Sequence, residues 1–301
     1  MKIIRTLVAA GLLFAWQASP AHGDAETGPA AGDAAVLGND ISWPQCGGDL
    51  PAPPAFAIIG VNGGRPDTIN PCLATQLGWA DHTSAAQGGT PAAVYVNTAA
   101  TGPTESLWWP STNNYRGTDV GNPYGMCDGT ESAACAYVHG YAMAFDDVTD
   151  LKEAGDAGAV RRMWWLDVET GNSWLADTAV NAAELEGMTA YLEGAGAEVG
   201  IYSTAYQFGL IVGAVNPGRN LYTLKNWVPG AESTPSAREN CDSAPLTPGG
   251  LVTLTQFTEE NLDYNYLCPA ATPAAPPPVP APEPPATRSS EYADMHAAQI
   301  S

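Results

Sequence analysis

Between residues 37 and 268 the chain alternates short apolar runs with stretches of helical periodicity, and this alternation restricts the fold more than any other feature. Runs at 36–43, 56–62, 92–97, 163–168, 199–202, 221–228 and 251–257 read as strands. Helical patterns fall at 71–86 and at 133–159, the second with expected breaks near Gly140 and Gly155. A third carries Leu185, Met188 and Leu192 on one face, with Asn181 as its expected N-cap and Glu184 three residues on. Ser203 is the expected cap of a fourth helix, ending near Gly213, and no convincing helix separates the last two strands. Strands joined by helices imply a parallel sheet with crossover connections. That number of strands over residues 37–268 fits a TIM-like (β/α) barrel, typically about 250 residues long. A doubly wound open sheet is the competing arrangement. Against it, no glycine-rich phosphate loop follows any strand.

The strand at 163–168 runs into Asp167 and Glu169. Residues two apart on a strand share a face, so the two carboxylates project together, their Cα atoms roughly 6–7 Å apart. In parallel α/β folds the C-terminal ends of the strands carry the chemistry. The other strand ends offer Asp40, then Asn62 before Gly63 and Gly64, then Tyr95 and Asn97, Tyr202, Asn226 and Trp227; Asp263 follows the last run. In a barrel these converge on one rim. By parity with Asp167, Trp165 faces inward and Trp164 packs under the helices. Each residue also has a plainer reading: solvated acids at a strand end, Asp40 as a loop cap, tryptophans as core or loop packing.

Several acids with tyrosines and tryptophans, and no Ser/His/Asp set, suit one kind of chemistry. Neighbouring carboxylates in a partly apolar cleft have their acidities pushed apart, so that one donates a proton while the other stays charged. Cleavage of a glycosidic bond needs that division. Aromatic faces such as Trp43, Trp165 and Trp227 suit the C–H faces of sugar rings.

At these positions the chain resembles glycoside hydrolase family 25, the Chalaropsis-type lysozymes or muramidases. The resemblance is carried by Gly38-x-Asp40-x-Ser42, by Leu166-Asp167-Val168-Glu169 and by Leu262-Asp263-x-Asn265, in that order, and covers about 37–268. It implies five β/α units followed by three strands without full helices, and cleavage of β-1,4 bonds in peptidoglycan or a related amino-sugar polymer. By position it implies Glu169 as general acid and Asp167 as the partner that shapes its charge or assists the acetamido group. Asp40 and Asp263 would complete an acidic cleft. Independently of the resemblance, Trp43, Asn62, Tyr95, Asn97, Trp165, Tyr202, Trp227 and Gln256, at or beside the strand ends, are expected to bind the glycan. The rim departs from the family pattern. Val61-Asn62-Gly63-Gly64 stands where the family has a Lys-Ala-Thr-Glu-Gly type motif, Tyr95 is followed by Val96 and Asn97 rather than His, and Thr255 precedes Gln256 in place of Trp. A chitinase-type signature would need an acid where Trp165 stands. The competing function is a non-catalytic carbohydrate-binding or surface-interaction protein on the same barrel.

Composition narrows the setting. A formal charge of −21 argues against nucleic acid and anionic membrane surfaces as partners. Lys2 and Arg5, the apolar run 7–16 and the small residues around Ala21 read as a signal peptide over 1–23. Cleavage there leaves 9 basic against 32 acidic side chains, or −23. The expectation is a secreted monomer with no stable membrane insertion, acting on cell-wall polysaccharide. Residues 24–36 read as a flexible lead-in and 269–301, dense in Pro and Ala, as a disordered tail. In an oxidising compartment the six cysteines read as disulfides. Pairing those that close loops between neighbouring elements gives Cys46–Cys72, Cys127–Cys135 and Cys241–Cys268. No C-x-x-C pair or spaced histidines supports zinc, and neither a metal nor a cofactor is expected.

Overall fold

A computed structural model describes residues 36–269; the expected signal peptide, lead-in and tail lie outside the described residues, save their inner ends at 36 and 269. The barrel strands are β1 (Leu37–Ile41), β2 (Phe56–Gly60), β3 (Ala93–Asn97), β6 (Met163–Asp167), β7 (Glu198–Tyr202), β8 (Lys225–Ala231), β9 (Val252–Glu259) and β10 (Leu262–Leu267). They close in the order β1-β10-β9-β8-β7-β6-β3-β2, a barrel rather than an open doubly wound sheet. Neighbours from β1 through β9 run parallel; β10 is antiparallel to both β9 and β1. A two-stranded hairpin, β4 (Asn114–Tyr115) and β5 (Thr118–Asp119), stands apart.

Period-two alternation sorts each barrel strand into two faces. Ile59, Val94, Val96, Trp164, Leu166, Val199 and Ile201 point outward into one continuous core beneath the helices. Ile58, Trp165, Trp227 and Leu254 point inward and fill the barrel. Trp164 and Trp165 therefore divide as parity requires. Both strand faces are buried, which is why the runs read as continuously apolar.

The helical layer is α1 (Leu73–Ala80), α2 (Ser84–Gln87), α3 (Gly102–Glu105), α4 (Ala133–Glu153), α5 (Thr178–Ala195), α6 (Ala205–Ile211) and α7 (Thr234–Asn240). Several sequence expectations change here. The single helix expected over 71–86 divides at Thr83, whose hydroxyl accepts from Ala86 N and caps α2. α4 does not break at Gly140. A Cβ there would lie 1.9 Å from the Glu184 carbonyl oxygen, and one at Gly187 would lie 2.0 Å from that of Tyr137. These two glycines let the backbones of α4 and α5 touch. Asp177, not Asn181, caps α5. Asn181 is buried, bonding both the amide and the carbonyl of Leu175 and the carbonyl of Ile211. Thr204, not Ser203, caps α6; Ser203 Oγ donates to Val168 O. A short helix, α7, does separate β8 from β9, and the segment carrying Asp263 after the last expected run is a further strand, the closing β10.

The stretch 98–132 holds α3 and the β4–β5 hairpin. Its hairpin turns on Arg116 and Gly117, both at positive φ, and Tyr115, Val120 and Cys127 join Tyr137 and Val138 of α4 in a second core. All three expected disulfides are present: Cys46–Cys72, Cys127–Cys135 and Cys241–Cys268. Among the described residues no helix is long and apolar enough to cross a membrane.

Candidate active site

The C-terminal half of the barrel interior is polar. Above the apolar plug of Ile58, Trp165, Trp227 and Leu254, the inward positions become Asp40, Tyr95, Tyr202, Gln256 and Asn265, and then Asn97, Asp167 and Asp263. Strand register brings them together. Asp40 lies directly opposite Asp263, Gln256 opposite Asn265, and Asn97 beside Asp167, which in turn lies beside Tyr202.

Asp40 is the deepest acid, and its neighbours are amides. Its Oδ1 accepts from Asn265 Nδ2 at 2.6 Å and from Gln256 Nε2 at 3.0 Å. The Tyr202 hydroxyl donates to Gln256 Oε1 at 2.7 Å, fixing which end of that amide faces Asp40. Burial, and next the charge of Asp263, push the Asp40 carboxyl up to about 7; the two amide hydrogen bonds oppose the rise. Burial likewise raises the Tyr95 and Tyr202 hydroxyls well above the usual range, so both stay neutral.

Asp167 is also buried, at 4% exposure. Burial first, then the neighbouring Glu169 charge, raise its carboxyl well above the ordinary carboxylate range, against a hydrogen bond from Asn97. Asn97 Nδ2 donates to Asp167 Oδ2, while Oδ1 has no hydrogen-bond partner among the described residues. Asn97 is held in turn by Asn62, whose Nδ2 donates to Asn97 O at 3.0 Å and whose Oδ1 accepts from Asn97 N at 3.1 Å. The two asparagines that depart from the family pattern thus form one unit that orients Asp167.

Glu169 sits one tier higher and is half-buried. Gln207 Nε2, from the first turn of α6, lies 3.4 Å from its Oε1, and the Trp174 indole donates to its backbone carbonyl at 2.8 Å. Asp263 is half-buried and accepts from Thr258 Oγ1 at 2.6 Å. One ionisable pair, Asp167–Glu169, therefore spans the boundary between the dry interior and the rim. A second, Asp40–Asp263, stands across the barrel from it.

Not all the residues expected at the rim reach it. Asp40, Asn62, Tyr95, Asn97, Asp167, Glu169, Tyr202, Gln256 and Asp263 share the polar half. Trp165 and Trp227 are each 2% exposed and lie in the apolar plug, Trp227 edge-on to Tyr202 with ring centroids 4.5 Å apart. Asn226 faces the helical layer, where it accepts from the Leu246 amide. Trp43 is the exposed aromatic of the set, at 49%, on a short 3₁₀ turn after β1. Its ring lies against Gly64, where a Cβ would come within 2.4 Å of the indole nitrogen. Two site residues are not evident from sequence as such: Asn265 appears there only within a motif, and Gln207 not at all. Asn265 stands two residues after Asp263, a same-face spacing that signals it. Gln207 lies on a helix, outside any strand pattern.

A cleft of about 320 Å³ opens beside this site, between the loops leaving β2, β3 and β6 and one face of α4. Gly64, Arg65, Thr101, Asn172 and His139 contribute to its walls, and none of the four acids does. His139 Nδ1 bonds the buried Glu184 carboxylate at 2.7 Å, and Trp109 packs on its ring at 5.0 Å. Among the described residues no group of three or more His, Cys, Asp or Glu is placed to hold a metal ion.

The family model described as Lys-1, Lysozyme-like protein 1, matches residues 137–238, which include β6 and the Asp167–Glu169 pair. No curated protein matches the sequence. Among solved structures, a muramidase from Trichobolus zukalii is similar at 16% identity and a TM-score of 0.47, over 78% of this chain and 95% of that one. A bacterial lysozyme from Streptomyces coelicolor is similar at 16% identity and 0.45, over 78% and 93%. The modular autolysin LytC from Streptococcus pneumoniae gives 13% identity and 0.46 over 76% of this chain, which spans only 46% of that one. The barrel assignment itself rests on the strand pairing above.

Proposed function

We propose that this chain, a divergent lysozyme-like barrel by its family match and its strand-end motifs, hydrolyses β-1,4 bonds of peptidoglycan or a related amino-sugar polymer. The observation that carries the reading is the convergence of Asp40, Asp167, Glu169 and Asp263 on one face, with Asp40 and Asp167 both held toward their neutral forms. An oxocarbenium-like transition state needs a proton donor at the leaving oxygen and negative charge near the sugar. Glu169 is the member of its pair that a bound sugar would touch first, and its role is to protonate the leaving oxygen. Asp167, buried beneath it, aimed by Asn97 and held toward its neutral form, keeps within the pair one shared proton that Glu169 delivers, because two neighbouring carboxylates do not both ionise cheaply. Once the proton has left Glu169, the acids of the site supply the negative charge that faces the ring; water then adds at the anomeric carbon, and the proton it loses restores the pair. Trp43, exposed at the mouth, offers a face for a flanking sugar. Three disulfides among the described residues support an oxidising, extracellular setting.

Product analysis on purified peptidoglycan, wild type beside Glu169→Gln, tests the reading. The wild type should release new reducing ends, and the variant should be slower by about 10²–10⁴-fold. A folded wild type that releases none between about pH 4 and 8, on peptidoglycan or chitin, would refute hydrolysis. Retained glycan binding in that case would make the chain a carbohydrate-binding protein on the same barrel.

A further inference from the structure

The cleft beside the acids continues into a second pocket of about 360 Å³; Asp67 and Met143 wall both. The second pocket is acidic, lined by Asp67, Asp146, Asp147, Asp150 and Glu153, with Arg116 as the cation on its wall. Arg116 is committed to Asp146 at 2.9 Å and lies over the rings of Tyr115 and Phe145. Asp147 differs from its neighbours. It is 7% exposed, it lines the pocket, and among the described residues no hydrogen bond or ion pair reaches its carboxylate. Burial, and then the charges of Asp150, Asp146 and Asp67, hold its carboxyl well above the usual range. A buried carboxyl facing like charges has no structural use for its position; an entering cation would relieve all four. Because the described residues place no metal-binding cluster here, a cation that brings its own hydrogen-bond donors fits better than a bare ion. The approach from the rim is walled by Arg65, Thr101, Ser106 and Asn172, groups that match peptide carbonyls and carboxylates.

We propose that this groove takes the peptide stem of a cell-wall substrate, with a primary ammonium of the stem seated against Asp147. The assignment rests on the cell-wall reading of the neighbouring site, and makes the chain selective for glycan that still carries peptides with free amines.

The test is an NMR titration of the full chain with a stem peptide bearing a lysine, and with the same peptide acetylated on the lysine amine. Signals around Asp147, Asp67 and Met143 should move with the free amine. Acetylation should weaken binding about tenfold or more, the scale of one lost charge-assisted hydrogen bond. Asp147→Asn should lose the preference for the free amine, its thermal melt confirming that it folds. Asp67→Asn, on the shared wall, should reduce the same preference. Equal affinity for the two peptides, or no shifts around Asp147, overturns the proposal. So does calcium or magnesium alone moving the same signals with no preference for the amine, which would reassign the pocket to an inorganic cation. No glycan is cleaved in this measurement, so its result stands whether or not the chain proves to be a hydrolase.

Discussion

Asp40 illustrates how much a single carboxyl can cost the fold it serves. In the unfolded chain it ionises near 3.8, and in the barrel near 7, because burial and the facing Asp263 both oppose its charge. Between those values the folded state binds the extra proton, so stability falls as pH rises. The penalty is absent below 3.8 and complete above about 7, where it reaches roughly 4 kcal/mol. Asp40→Asn keeps an Oδ1 that can accept from Gln256 and Asn265, and removes the charge. It is expected to raise the urea midpoint at about pH 8 and to leave it nearly unchanged at about pH 4. Equal midpoints for variant and wild type at about pH 8 would contradict the account. The cost that burial imposes on Asp40 is also what makes it legible in the sequence: a strand core excludes a carboxyl unless the site uses it. The rim placement expected for Trp165 and Trp227 fails on a related point. Strand parity tells which face a side chain takes, but not its height along the barrel. Trp165 shares its face with Asp167 and lies one tier below it, in the dry plug.

Among the elements, the crossing of α4 and α5 depends most on one atom. A methyl group at Gly140 would meet the Glu184 carbonyl at 1.9 Å, and backbone cannot rotate away as a side chain can. Alanine gains about 1 kcal/mol in helix propensity over glycine. Overpacking of a tight contact costs about 1–3 kcal/mol or more, and here the two helices must move apart along their length. At the upper end of that range, where a contact this close to rigid backbone belongs, the net effect of Gly140→Ala is a destabilisation of about 2 kcal/mol, measured by denaturant unfolding. A neutral or stabilising result would mean that the helices do not touch there. The same separation would loosen the buried His139–Glu184 bond beside it, and with it the wall of the cleft near the acids. From sequence, Gly140 reads as a helix break, because glycine marks both weak helix and close approach. Only the partner helix distinguishes the two. Asn181 and Glu184 mislead in the same way: a capping pattern in one dimension is a buried polar contact in three. The strands are more legible, since alternation and apolar runs depend on local periodicity alone.

At the scale of the whole molecule, the barrel is closed by its last strand. β10 runs against the direction of its neighbours and pairs with β1, carrying Asp263 opposite Asp40 and Asn265 onto its carboxylate. Its sequence, LDYNYL, is half polar, so it does not read as a strand until the gap between β9 and β1 requires one. Nothing local distinguishes it, because closure is a property of all eight strands. Cys241–Cys268 ties the end of this strand to the end of α7, and is the tether most directly responsible for holding it in register. The bond spans 27 residues, for which chain entropy gives about 3.5 kcal/mol; Cys127–Cys135 spans 8, for about 2.5 kcal/mol. Replacing each pair by serines is therefore expected to lower stability in that order. The two losses should differ more clearly in their second effect. Without Cys241–Cys268, β10 can fray below the melting temperature, and Asp40 then loses both its facing acid and one of its two amide donors. Hydrolysis by the Cys241→Ser, Cys268→Ser double variant should fall at temperatures where its circular dichroism is still native. Loss of activity only in step with global unfolding would show that strand pairing, and not the disulfide, keeps the site closed.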